Sequence, residues 1–277
     1  VKILPYHRPM SFALPAARAF LRAPARVWAL LCAHLQAWWR SIYLGAVVLV
    51  LVLSPSSWQR GARQVMAYQM LVQTVPILLG FTLLAALLCA VITRIVMVTA
   101  ASYGLSGYAL EMVVRVLVVE LIPLLAALFV AMRCTIPNGT LIAQLRARGH
   151  LAAWQQQGLD PLRLALVPRA AGGVFAALTL AALSCAVALT TVYLSVYGFT
   201  EAALPQYTRI FGRIFTPAVT LVFALKTWFF SLTVAIMPLA SGLYAPRRAD
   251  TAALGGFARM FAVLLLIEMV ALMGNYY

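Results

Sequence analysis

Arg94, Glu111, Arg115, Glu120, Lys226 and Glu268 are ionisable side chains set inside long apolar runs. A charge near the centre of a bilayer costs about 2.5 kcal/mol or more on insertion scales, so each needs a partner, a wet cavity or a function. Arg94 comes late in one run, and Glu111 and Arg115 come early in the next. The two arginines are therefore placed either to hold the phosphate of a lipid headgroup, whose oxygens suit the guanidinium fork, or to share Glu111 as a simple ion pair. Lys226 and Glu268 lie at corresponding depths in the last two runs, which predicts a structural ion pair between them. Glu120 stands three residues before Pro123, where a helix loses a backbone hydrogen bond. It serves either to fix a helix break or to touch substrate.

The rest of the chain offers little for catalysis. It has six acidic residues in 277, and His7, His34 and His150 are far apart. There is no nucleophile elbow and no glycine-rich phosphate loop, so the chain cannot hydrolyse ATP itself. Cys32, Cys89, Cys134 and Cys185 have neither paired nor metal-ligand spacing and read as small apolar residues. No catalytic residue, metal site or bound cofactor is expected.

The elements that position these charges follow from composition. With 64% hydrophobic and 10% charged residues, the chain carries more apolar surface than a soluble domain of this size can bury. An all-α integral membrane protein is predicted. Runs long enough for the roughly 20 residues of a membrane-spanning helix occur at 76–101, 108–131, 168–196, 217–243 and 253–274, giving about five spans. A sixth run, 42–53, is only about a dozen residues and reads as re-entrant or interfacial, unless the region before it joins to make a tilted span. The net charge of +15 does not point to nucleic acid, because there is no solvated basic face with aromatic platforms. Arg133, Arg146, Arg148, Arg163 and Arg169 instead crowd the connection between the second and third spans, whereas 102–107 carries no charge. The positive-inside bias puts the arginine-rich connection in the cytoplasm, with the N-terminus inside and the C-terminus outside. Arg209 and Arg213, on the outer side, run against that bias. Within 11–40, Arg18, Arg22, Arg26 and Arg40 alternate with Phe12, Phe20, Trp28, Trp38 and Trp39, a pattern that lies along an anionic leaflet. Prolines and arginines interrupt the first twenty-odd residues, which is not the form of a cleavable signal peptide. The chain thus divides into an interfacial region, 1–60, and a membrane domain, 61–277.

The 133–168 connection is the mechanical part. Residues 140–157 have helix-forming composition, with Leu141, Leu145, Leu151 and Trp154 spaced for a short amphipathic helix or for two helical pieces broken at Gly149. A partly helical loop between spans can receive motion from a soluble ATPase.

These residues also carry a resemblance. Glu120-Leu121-Ile122-Pro123, Arg133 about ten residues later, Arg146, then Gly158-Leu159-Asp160-Pro161 and Val167-Pro168-Arg169 resemble the MlaE/YrbE family of ABC-transporter permeases, the membrane subunits of MCE-type lipid transporters. The likeness runs from about residue 69 to the C-terminus and takes in Tyr103, Lys226, Gly242 and Glu268. It implies a cytoplasmic coupling helix between the second and third spans, and an inner-membrane location. The implied partners are an ABC ATPase subunit that supplies ATP chemistry, an MCE-domain periplasmic protein, and a second permease copy or paralogue. Phospholipid is the implied cargo. Arg133, Arg146, Arg148, Gly158, Asp160 and Pro161 are the implied ATPase-coupling residues, and Arg94, Glu111, Arg115 and Glu120 the candidate substrate contacts. The departures are specific. Ile122, Val119 and Met132 replace a glycine, an arginine and a glycine, and the family's acidic coupling positions hold Leu141, Gly149, His150, Ala152 and Gln155. That loss of negative charge keeps open a divergent ATPase partner, a less active half of a heterodimer, or a non-transporting or regulatory scaffold. An intramembrane enzyme is the weakest reading, for want of a catalytic constellation.

Overall fold

The computed structural model describes residues 32, 35–52, 54, 60–244 and 249–276. Among them the chain is helical throughout, with no strand. Six helical stretches are long and apolar enough to cross a membrane: Leu35–Val52, Gly61–Ser102, Tyr108–Ala147, Leu162–Tyr197, Pro217–Tyr244 and Gly255–Asn275. The chain is a multi-pass membrane protein.

Five of these correspond to the expected spans, and the sixth takes up the alternative left open for the run at 42–53. Helix α1 (Leu35–Val52) begins seven residues before the apolar run at 42–53, so a dozen-residue run becomes an 18-residue helix, about 27 Å long. Its polar residues are accommodated locally. The Ser41 hydroxyl donates to the Ala37 carbonyl at 2.9 Å, and the Arg40 guanidinium lies 5.7 Å from the centre of the Tyr244 ring. Most of 11–40, expected along the leaflet, lies outside the described residues.

Helix α2 (Arg60–Ser102) has 43 residues, about twice the length a 30 Å hydrocarbon core requires. Pro76, expected to open a span, instead lies inside this helix, as membrane helices tolerate. A turn at Gly104 leads into a long helical rod made of α3 (Ser106–Val113), a π-helical segment (Val114–Leu121), α4 (Ile122–Val130), a second π segment (Ala131–Thr135) and α5 (Ile136–Ala147). The apolar run of the second span ends near Ala131, and a helix break at Pro123 was one of two readings of Glu120, but the helix stops at neither place. The turn before each proline widens: the Ile122 N–H reaches Leu117 and the Ile136 N–H reaches Ala131, five residues back rather than four. The wider turn gives the Pro123 and Pro137 rings room against the preceding carbonyls and lets the helix continue. The Val167 N–H does the same toward Leu162, just before Pro168.

After α6 (His150–Gln156) and a third π segment (Leu162–Leu166) comes α7 (Val167–Tyr197). It runs parallel to α2, with Met66 against Val167 and Ala171 and the Gln73 amide 3.4 Å from the Arg169 carbonyl. A small residue makes this close approach possible: a Cβ on Gly172 would sit 3.0 Å from Gln73 Cδ and 3.1 Å from the Gln69 carbonyl oxygen. The short α8 (Leu204–Ile214), α9 (Pro217–Tyr244) and α10 (Ala249–Tyr276) complete the fold. Helices α5 and α9 cross with their backbones touching, Gly139 against Pro238 and Gly242 against Gly139, a small-residue contact typical of membrane helices. Near α8, Tyr193, Tyr197 and Tyr207 pack edge to face, and the Tyr207 hydroxyl donates to the Leu189 carbonyl at 2.9 Å. Burial and the neighbouring Tyr197 push the Tyr207 phenol up to about 12.

Candidate functional site

Three groupings of polar residues are positioned by this architecture. The first lies beside the α2–α3 turn, where the end of α2 and the start of α3 enclose an open cavity of about 850 Å³. Ile95 and Met112 supply apolar wall, Thr99, Tyr103 and Tyr108 bring hydroxyls, and Glu111 and Arg115 bring charge. Four residues apart, Glu111 and Arg115 share one helix face. Arg115 Nη2 lies 3.5 Å from Glu111 Oε1, and the side chains are 30% and 40% exposed. Arg94 is not brought to this place. It is exposed on α2 next to the wall residue Ile95, but a helix turns about 100° per residue, and Arg94 does not line the cavity.

The second grouping is a buried ion cluster, and the widened turn explains it. Ile122 donates to Leu117 rather than to Val118, and Pro123 has no N–H to give to Val119. Both carbonyls are taken by side chains from other helices. The Cys185 thiol donates to Val118 at 3.5 Å, and Lys226 Nζ donates to Val119 at 2.9 Å. The same ammonium donates to Glu120 Oε2 and lies 3.4 Å from Glu268 Oε2. Asn275 Nδ2 completes the group by donating to Glu120 Oε1 at 3.0 Å. Lys226 is 2% exposed and Glu120 7%, so the charges are sustained by one another rather than by water. The Lys226–Glu268 contact is present, but Glu120 is the nearer partner. Asn275 was not singled out in the sequence, where one asparagine near the end of an apolar run carries no signal of its own.

The third grouping is the arginine-bearing end. Helix α5 ends at Ala147, Gly149 takes a left-handed conformation (φ 78°), and α6 follows, which is the broken form expected at that glycine. Gly158 is also left-handed, at φ 76°. Asp160 Oδ1 then accepts the Leu162 N–H at 3.0 Å while its other oxygen lies 3.5 Å from Arg163 Nε, fixing the turn at Pro161. Leu145, Leu151 and Trp154 pack on a buried cluster that includes Leu44 and Val48 of α1, Ile142, Leu166 and Leu239. Leu141 is 39% exposed. Arg146 Nη1 donates to the Leu243 carbonyl at 2.7 Å, tying α5 to the end of α9. Arg133, Arg148 and His150 are exposed.

A model of the family described as Permease MlaE matches residues 66–274. The chain belongs to the MlaE permease family. The charged residues of all three groupings fall within the matched residues, whereas Asn275 lies just beyond them and α1 precedes them. MlaE membership makes the chain a membrane permease subunit of a transporter. A search of curated proteins found no match to the chain. Among the described residues, no group of three or more His, Cys, Asp or Glu could hold a metal ion.

Proposed function

We propose that the chain is the permease subunit of an ABC-type transporter that moves phospholipid between the inner membrane and an MCE-domain partner. A separate cytoplasmic ATPase drives it, and two permease subunits work together. The observation that carries this reading is the cavity beside the α2–α3 turn. In a chain of the MlaE permease family it combines apolar wall, which suits acyl chains, with a Glu111–Arg115 pair near the α2–α3 turn. The α5–α6 end would face the cytoplasm, in line with its arginines. Its packing onto α1 and α9 suits a segment that passes movement of an ATPase into the membrane helices. The buried cluster joins the second span to α9 and α10 and would keep those helices moving as one body.

A second reading, a scaffold that binds partners without coupling, is favoured by the coupling segment itself. Its one carboxylate, Asp160, is engaged with the Leu162 N–H and Arg163, which leaves a basic face with Arg148 exposed. Purification of the chain from its native membrane separates the two readings. An associated ATPase whose turnover rises with added phospholipid supports transport. An associated ATPase indifferent to lipid supports the scaffold.

A further inference from the structure

Resting on the lipid-carrier reading, we infer that the cavity beside the α2–α3 turn selects a zwitterionic phospholipid headgroup, one with a phosphate and an ammonium, over an anionic one. The inference comes from the order of the two charges along α3 and the π segment that follows it. Glu111 is nearer the end of the helix at the turn, and Arg115 is one turn deeper, about 6 Å along the axis. A lipid whose acyl chains point toward the membrane centre presents its phosphate deeper and its ammonium further out. The order of charges on the protein is therefore complementary to that on the lipid: guanidinium with phosphate below, carboxylate with ammonium above.

The energetics favour the same headgroup. At the cavity Arg115 and Glu111 face each other at 3.5 Å. A zwitterion can exchange that contact for two, giving phosphate to Arg115 and ammonium to Glu111, with every charge still paired. A phosphatidylglycerol headgroup has only the phosphate to give. It takes Arg115 from Glu111 and offers that carboxylate no counter-charge in return, so the anionic headgroup gains one charge contact where the zwitterion gains two. Both side chains retain enough exposure to meet a ligand. The hydroxyls of Thr99, Tyr103 and Tyr108 are present for the remaining phosphate oxygens.

The test is equilibrium binding to the full chain in detergent, using phosphatidylethanolamine and phosphatidylglycerol that carry the same fluorophore on the acyl chain. The expected result is saturable binding of both, with phosphatidylethanolamine tighter by roughly tenfold. Glu111→Gln should abolish most of that preference by improving phosphatidylglycerol binding, and Arg115→Lys, which keeps the charge, should retain it. Glu111 is partly exposed, so the Gln variant is expected to elute as a folded species on size exclusion, and Arg115→Lys provides an independent comparison. Equal affinities in the parent chain, or a preference unchanged in Glu111→Gln, overturn the headgroup inference while leaving lipid carriage intact. Failure of both lipids to bind saturably overturns the lipid-carrier reading, and this inference with it.

Discussion

Lys226 is the residue whose removal should be felt most. Its ammonium serves the Val119 carbonyl and the Glu120 carboxylate and lies 3.4 Å from Glu268. Lys226→Met would preserve much of the side chain's volume yet strand a buried carboxylate. The expected loss is about 3–5 kcal/mol, the cost of breaking one side of a buried pair, read as a lower midpoint of thermal unfolding in detergent. The double variant Lys226→Met/Glu120→Gln should recover part of that loss, because the stranded charge is gone. A double variant as unstable as the sum of the singles would show that the two residues do not act as a pair. Pro123 belongs to the same argument. Pro123→Ala supplies an N–H that competes for the Val119 carbonyl, so it should cost about 1 kcal/mol in the parent chain. It should cost little once Lys226 is absent.

Among the elements, the α5–α9 crossing and the α5–α6 turn carry the sharpest expectations. A side chain at Gly139 or Gly242 meets opposing backbone, not a flexible side chain, so the helices must move apart to admit it. Gly242→Val is expected to lower the unfolding midpoint and to reduce yield after solubilisation, whereas Gly212→Ala, with open space around it, should leave both near the parent value. At the turn, charge reversal separates two roles. Arg146 holds the Leu243 carbonyl, so Arg146→Glu loosens α5 from α9 as well as changing surface charge. Arg148 is exposed, and Arg148→Glu tests docking more directly. Recovery of the ATPase with Arg148→Glu should fall several-fold while the amount of inserted permease is unchanged. Full recovery would remove Arg148 from the proposed docking surface.

At the scale of the whole molecule, three of the four cysteines, Cys89, Cys134 and Cys185, are buried and Cys32 is partly exposed. Treatment of the folded chain with a maleimide should add one label rapidly, at Cys32, and the other three only after denaturation. Intact mass reads the number of labels, and early labelling of Cys134, whose thiol donates to the Gln73 carbonyl of α2 at 3.2 Å, would contradict the packing of α2 on the second π segment. The multi-pass all-helical class was determined by sequence alone, because runs of apolar residues longer than a bilayer is thick have few other stable environments. The family was legible as well, since Glu120, Pro123, Arg133, Gly158, Asp160 and Pro161 fall in one register. The break at Gly149 was one of two forms left open there, and the structure takes it. Helix continuity was not legible. Pro76 and Pro123 look like boundaries in one dimension, and only neighbouring helices decide whether a widened turn with freed carbonyls can be satisfied. The partners of Lys226 show the same limit: depth along two spans pointed to Glu268, but which carboxylate comes nearest depends on how α9 and α10 rotate against the second span. Arg94 and Ile95 differ by one position in sequence, yet a rotation of about 100° puts one on the cavity wall and the other elsewhere. Sequence fixes how far along a helix a residue lies, but the direction it faces comes from packing among helices whose apolar surfaces are nearly alike on every side.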